Sequence, residues 1–173
     1  STLSAVAAWT KRVEIIATIS VLTMHNPILS AKQFATIDMI SEGRFTLGVG
    51  VGGREEDYNA IGSKWSDRRW GILSNHVKTM QSVWSNEYHS DLGPTTFSKN
   101  GPEILAGAVG PKAMEMSSDF AQGLAGFSFN ADIEEIKDSF NRVIGAFKNK
   151  GKTPRLVTSF WFGLGEGARS DIQ

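Results

Sequence analysis

Residues 40–54 read ISEGRFTLGVGVGGR, and this stretch decides how the rest of the chain is interpreted. Gly43 is placed to end a helix, because glycine adopts the left-handed conformation of a helix C-terminus without steric cost. Phe45 to Val49 is a short apolar run, typical of a strand that is buried on both faces. The glycines that follow allow the backbone to approach a ligand at the carboxyl end of that strand, where α/β proteins bind their ligands.

Predicted strands and helices alternate along the whole chain. Apolar runs predict strands at residues 13–22, 45–49, 103–108, 123–129 and 154–164. Amphipathic segments before and between them predict helices, and the helix after the first strand has Ser30 as its N-cap. This alternation predicts an α/β fold with a parallel sheet and right-handed crossovers. Two architectures fit, a doubly wound open sheet or most of a (β/α)8 barrel, since a whole barrel needs about 250 residues.

The composition indicates one globular domain over residues 1–173, with 40% hydrophobic residues and 18 basic residues balanced by 18 acidic ones. This balance predicts neither a nucleic-acid partner nor binding to an anionic membrane. The sequence has no apolar run near the roughly 20 residues that span a membrane. The absence of cysteine excludes disulfides and thiol chemistry, and it fits a cytoplasmic location.

Two glycine-containing segments are candidate ligand sites. Gly48, Gly50 and Gly53 match the dinucleotide pattern G-x-G-x-x-G, which supports the hypothesis of an NAD-binding open sheet. The match is weak, because a dinucleotide-binding fold begins an apolar helix directly after the glycines, whereas residues 54–58 of this chain are polar. The segment 106–112 lies between a predicted strand and helix, so free backbone N–H groups there could bind a phosphate.

Other polar residues are interpreted as structural. The histidines at positions 25, 76 and 89 lack the spacing of metal ligands, so we predict no metal site. Asp38 and Arg44 flank the turn between a helix and a strand, and we expect them to form an ion pair there.

The quoted stretch also carries a family resemblance. Residues 31–50 (AKQFATIDMISEGRFTLGVG) resemble the recurring segment of bacterial luciferase-like flavin-dependent oxidoreductases. Residues 110–113 (GPKA), followed by Phe120-Ala121 and Gly123, are similar to a second recurring segment of that family. The resemblance implies a partial (β/α)8 TIM barrel that runs from about the third to the seventh strand. The chain would then lack the N-terminal and C-terminal units of the barrel.

The resemblance implies where a cofactor binds. In the family, a non-prolyl cis peptide in the third barrel strand supports the flavin ring, and the loops after the fourth and fifth strands contact the cofactor. The matching positions here are Thr18, Ile19, Gly50, Val51, Gly52, Val109, Gly110, Pro111, Lys112 and Ala113, with Ser128 as a further pocket residue. Val51 stands where luciferases have a phosphate-binding arginine, so coenzyme F420 is an alternative to FMN.

The function implied by the resemblance is a flavin-dependent oxidoreductase or monooxygenase acting on a small organic substrate with reduced FMN and O2. Its expected partners are that substrate and a flavin reductase, and a homo-oligomer is expected. No catalytic residue is assigned, because several members take their catalytic histidine from the N-terminal part that this chain lacks. A non-catalytic flavin-binding protein is the alternative from another functional class.

Overall fold

The computed structural model describes residues 2–89, 92–108 and 110–165, and these residues contain one five-stranded parallel sheet. The strands are β1 (Ile15–Val21), β2 (Phe45–Gly50), β3 (Glu103–Ala106), β4 (Gly123–Ser128) and β5 (Arg155–Phe160). Each strand pairs with its neighbours in sequence, in the order β1-β2-β3-β4-β5. A doubly wound sheet reverses its strand order at a switch point, so this order contradicts the open-sheet alternative and the NAD hypothesis built on it. It is the order of consecutive strands in a (β/α)8 barrel.

Helices connect the strands and cover one face of the sheet. They are α1 (Thr2–Trp9), α2 (Pro27–Ser41), α3 (Glu55–Ala60), α4 (Arg69–Trp84), α5 (Pro111–Ser117) and α6 (Ile133–Lys148), and a 3₁₀ turn lies at Leu22–Met24. Among the described residues, no helix is both long enough and apolar enough to cross a membrane.

The core lies where α2 and α4 pack against the middle strands. All six residues of β2 are buried, which confirms the prediction of a strand covered on both faces. Leu47 and Val49 of this strand are completely inaccessible to solvent, as are Leu73, Val77 and Met80 of α4. Removal of this apolar surface from water is the main term that stabilises the sheet.

The start of α2 differs from its predicted position. The N-cap is Asn26, whose side-chain oxygen accepts hydrogen bonds from the backbone N–H groups of Ile28 (2.9 Å) and Leu29 (3.2 Å). Pro27 follows at the first helical position, where a missing N–H group costs nothing. Ser30 is instead a buried residue of the first turn. The prediction was wrong because an Asn-Pro pair can begin a helix as well as form a loop.

The predicted ion pair between Asp38 and Arg44 does not form. The buried carboxylate of Asp38 accepts hydrogen bonds from the backbone N–H (2.7 Å) and hydroxyl (2.8 Å) of Ser98. The guanidinium of Arg44 donates to the carbonyl oxygens of Ala7 (3.0 Å) and Thr10 (2.9 Å) at the end of α1. Each side chain therefore anchors a segment distant in sequence, and the turn between them is held by backbone hydrogen bonds.

An ion-pair cluster links the strands at the amino end of the sheet. Arg155 of β5 donates to both carboxylate oxygens of Glu14 (2.7 Å each) and to Glu103 of β3. The hydroxyl of Thr46 donates to Glu14 over 2.7 Å. The hydrogen bonds from Arg155 lower the pKa of the Glu14 carboxyl below its ordinary value, against a smaller opposing effect of burial. The same contacts raise the pKa of the Arg155 guanidinium.

Candidate functional site

The carboxyl ends of β1 and β2 meet at an irregularity in their pairing. Ala17 is opposite Leu47 and Ser20 is opposite Val49, so two residues of β1 face one residue of β2. These two residues are Thr18 and Ile19, opposite Gly48, and the peptide bond between them is cis, as the resemblance implies. A strand bulge of this kind redirects side chains at the edge of a sheet.

Ile19 is placed over the glycines of the neighbouring strands. A Cβ atom built on Gly50 would lie 2.1 Å from Cδ1 of Ile19, and one built on Gly107 would lie 2.9 Å from the same atom. The space beside Gly50 is therefore occupied by a side chain of the protein itself, and the assignment of Gly50 to the cofactor site stays a prediction. The missing side chain of Gly50 accommodates Ile19, which is partly exposed and presents its own surface at this edge.

The next part of the glycine loop is held by a buried tyrosine. The hydroxyl of Tyr58 donates to the carbonyl oxygen of Val51 over 2.5 Å and shares a hydrogen bond with the hydroxyl of Thr23. Gly52 has a φ of 68°, and a Cβ there would lie 3.0 Å from a methyl group of Val21. Glycine at 52 is therefore required by the turn itself.

Tyr58 belongs to α3, a short helix within the polar stretch that follows the glycine loop, where no helix was predicted. Its first turn contains three acidic residues, Glu55, Glu56 and Asp57, which favour a helix N-terminus and were the signal available in the sequence. The Tyr58 ring packs edge-to-face on Trp65, with ring centres 5.1 Å apart. α3 thus fastens the loops after β1 and β2 to each other.

The loop after β3 presents an uncapped helix N-terminus. Gly110 is the N-cap of α5 and supplies no side-chain hydrogen bond, and Pro111 occupies the first helical position. A Cβ built on Gly110 would have no atom within 4 Å, so the space beside this residue is open. Lys112 is exposed and Ala113 is buried. Open space, free backbone N–H groups and a nearby lysine fit a phosphate group. Val109, the first candidate residue of this loop, lies outside the described residues.

A cavity of about 450 Å³ extends from Ile19 to the start of α6. It is lined by Ile19, Gly107, Ala108 and the last residues of β4, including Ser128. The structure therefore brings Ile19 and Ser128 to one cavity, whereas Val51, Gly52 and Lys112 do not line it. Its volume lies within the range of small-molecule sites.

Ser128 has a defined role at the wall of this cavity. Its buried hydroxyl donates to Oε2 of Glu135 (2.9 Å) and accepts from the backbone N–H of Asp132 (3.2 Å). Ser128 therefore fixes the start of α6 and the position of the Glu135 carboxylate. Glu135 was not among the predicted site residues, because nothing in the sequence relates it to the end of β4.

Three exposed aromatic side chains beside the cavity were also missed. Phe127 of β4 has Phe129 and Trp161 as edge-to-face neighbours, with ring centres 4.9 and 5.8 Å apart. Their exposed fractions are 43% for Phe127, 74% for Phe129 and 64% for Trp161. The sequence placed all three in predicted strands, where aromatic residues are ordinarily assigned to the core.

A second, larger cavity of about 630 Å³ lies at the amino end of the sheet, beside the Arg155 cluster. Its lining is polar, and it is on the end of the strands opposite to the usual ligand side of this architecture. In the described parts of the chain, no group of histidine and acidic side chains is arranged to bind a metal ion.

Comparison with known proteins identifies the family. The family model of luciferase-like monooxygenases matches residues 1–167. The chain belongs to this family. The matched range includes the segments 31–50 and 110–123, on which the family resemblance rests.

Individual relatives agree with this membership. The chain is 29% identical over 144 residues to pyrimidine monooxygenase RutA of Yersinia enterocolitica, a match that covers 81% of this chain and 38% of the relative. It is 27% identical over 151 residues to the FMNH2-dependent dimethylsulfone monooxygenase of Pseudomonas putida, covering 77% of this chain and 41% of that protein. The chain thus spans less than half the length of these two relatives.

The fold is shared with a solved monooxygenase. The crystal structure of RslO1 from Streptomyces bottropensis superposes with a TM-score of 0.78 at 20% identity. The superposition covers 98% of this chain and 57% of RslO1. The predicted partial (β/α)8 barrel is therefore confirmed at the level of the fold.

Proposed function

We propose that this chain is part of a flavin-dependent monooxygenase that oxidises a small organic substrate with reduced FMN and O2. The observation that carries the proposal is the family match over residues 1–167, together with the position of the candidate residues at one edge of the sheet. Bound flavin would supply the redox chemistry, since no protein side chain performs it. The protein would orient the flavin and substrate and exclude water.

The candidate residues divide between two parts of the cofactor. The uncapped N-terminus of α5, from Gly110 to Ala113, would hold the phosphate by its backbone N–H groups, with Lys112 adding a positive charge. Thr18 and Ile19 would support the ring, because Ile19 projects over Gly50 and Gly107 and also lines the 450 Å³ cavity. Val51 and Gly52, fastened by Tyr58, would form the neighbouring wall.

FMN is the preferred cofactor in this proposal. FMN is supported by a sequence relative that is named as FMNH2-dependent. F420 is supported only by Val51, which stands where the resemblance leads us to expect a phosphate-binding arginine. A flavin reductase would deliver the reduced cofactor, and the active form would be a homo-oligomer in the cytoplasm. An intact mass and a visible spectrum of the full-length gene product with FMN or F420 separate these cofactors. A stable product of 18.8 kDa that binds flavin without turnover would instead indicate a binding protein.

The phosphate site is tested by a pair of substitutions at Gly110. Asp and Asn both fit the open space there, and both are good N-cap residues, so neither should unfold α5. Gly110→Asp places a negative charge against the phosphate and should weaken FMN binding about tenfold relative to Gly110→Asn. Riboflavin, which lacks the phosphate, should bind both variants equally. Equal FMN affinity in the two variants would contradict the phosphate site.

A further inference from the structure

The aromatic group formed by Phe127, Phe129 and Trp161 has no role in the proposed binding of the cofactor. In the described part of the chain, which spans less than half the length of its two sequence relatives, all three rings are between 43% and 74% exposed. They lie at the end of the strands where this architecture binds ligands, and adjoining large apolar side chains there are typical of a binding surface.

The geometry of the rings points to a flat ligand. Phe129 and Trp161 stand at 81° and 78° to the plane of Phe127, both in edge-to-face contact with it. Phe127 is thereby held in one orientation by two neighbours, while Phe129 and Trp161 keep most of their own surface free. Rings fixed in this way offer faces and edges to another ring at little cost in conformational entropy.

The group borders the 450 Å³ cavity, which gives such a ligand a place to lie. Phe127 and Phe129 line this cavity together with Ile19, the residue proposed to support the flavin ring. A molecule in contact with the aromatic group would therefore lie close to the cofactor. This volume is sufficient for a substrate of one or two rings.

The charges around the cavity select against anions. Glu135 lines it and is held in place by Ser128. The other two charged residues of the lining, Asp138 and Arg142, pair with each other one helical turn apart, which leaves Glu135 as the uncompensated charge of the lining. An anionic ligand would meet the carboxylate of Glu135, whereas an uncharged ligand would not.

We propose that Phe127, Phe129 and Trp161 determine substrate specificity and select an uncharged aromatic or heteroaromatic molecule. This inference rests on the proposed function for the reaction that follows binding, but the binding preference itself can be measured separately. Edge-to-face contact with two rings should favour an aromatic ligand over its saturated counterpart by about tenfold.

The test compares three probes on the full-length gene product: phenol, cyclohexanol and benzoate. Phenol and cyclohexanol differ in the π-system and are both uncharged at neutral pH, while benzoate is an anion of similar size. Isothermal titration calorimetry, with and without FMN, should give the order phenol, then cyclohexanol, then benzoate. Phe129→Leu and Trp161→Leu retain apolar surface but remove the rings, so each should reduce the preference for phenol several-fold. Trp9→Leu, at an 85% exposed tryptophan of α1, is the matched control and should leave it unchanged.

Each outcome supports or overturns the inference. Equal affinity for phenol and cyclohexanol overturns it, as does a preference that survives both ring substitutions. Failure of all probes to bind also overturns it, because the rings would then be covered by another part of the protein. FMN binding is followed in parallel by its visible absorbance. Loss of FMN binding with an intact phenol preference would count against the proposed cofactor and not against the aromatic site.

Discussion

Arg155 and Glu14 are 141 residues apart in sequence, yet their side chains form a two-pronged ion pair with both N–O distances at 2.7 Å. Glu14 directly precedes β1 and Arg155 begins β5, so the pair joins the first and last strands of the sheet. Arg155 also contacts Glu103 at the start of β3, between them in the sheet. The cluster thus holds the amino ends of alternate strands together while their carboxyl ends form the candidate site.

Substitution of Arg155 should destabilise the chain. Arg155→Met would leave Glu14 and Glu103 facing each other without a cation, so repulsion adds to the lost hydrogen bonds. The side chains of Arg155 and Glu14 are 36% and 42% exposed, so solvent screening limits the loss. We expect the free energy of unfolding, measured by urea denaturation, to decrease by roughly 1–2 kcal/mol. Arg142→Met is the control, since its more exposed pair with Asp138 should contribute only about 0.3–0.5 kcal/mol. Equal losses in the two variants would contradict this account.

The same pair predicts a pH dependence of stability. The pKa of the Glu14 carboxyl is lowered in the folded state, chiefly by Arg155, so the folded chain binds this proton less readily than the unfolded chain does. The stabilisation is therefore present above the unfolded pKa, about 4.3 for glutamate, and is lost as pH falls through the lower folded pKa. Unfolding free energies measured between neutral pH and pH ~3 should fall more steeply for the wild type than for Glu14→Gln. Parallel curves would show that Glu14 does not contribute.

Enlargement of Gly50 should disturb the cofactor site through Ile19. The added Cβ would lie 2.1 Å from Cδ1 of Ile19 and would displace that side chain. Gly50→Ala should therefore weaken FMN binding several-fold, whereas Gly53→Ala, with no atom within 4 Å of the new methyl group, should not. Ile19→Val removes the clashing Cδ1 atom and should restore binding in the double variant. Flavin fluorescence titration gives the FMN affinity of the wild type, the two single glycine variants and the double variant. If Ile19→Val did not restore FMN binding in the double variant, Gly50→Ala would act by a route other than contact with Ile19.

A glycine in the segment before β3 should be among the least replaceable in the chain. Gly101 has a φ of 98°, and a Cβ there would lie 2.1 Å from the buried ring of Trp84, which donates a hydrogen bond to the carbonyl oxygen of Ala31. Gly101→Ala should lower the free energy of unfolding by about 2 kcal/mol or more, from strained backbone and from overpacking. Gly62 has a φ of 69° but no neighbour within 4 Å, so Gly62→Ala isolates the backbone contribution of about 1 kcal/mol. Thermal or urea unfolding that gave the two variants equal stability would exclude the steric contribution of Trp84.

The order and type of the strands were predictable because each carries its own local pattern. β2 is apolar at nearly every position, and in a parallel sheet such a strand is buried whatever its neighbours are. The position of the cis peptide at Thr18 and Ile19 followed from the family resemblance, since no local pattern of residues specifies it. The structure of residues 54–68 was harder to predict, because α3 is only six residues long and carries no clear periodic pattern. The burial of Tyr58 also depends on its contacts with Thr23 and Val51, which belong to other segments of the chain.

The sequence by itself therefore determined the fold, the family and the edge of the sheet where a ligand is expected. Only the tertiary structure decided which side chains meet at that edge. Ile19 reaches Gly50 and Gly107, and Phe127 reaches Trp161, because parallel strands bring together residues that lie 30 to 90 positions apart. Contacts of this kind depend on strand register and curvature, which arise from the packing of the whole sheet and leave no periodic pattern in any one segment.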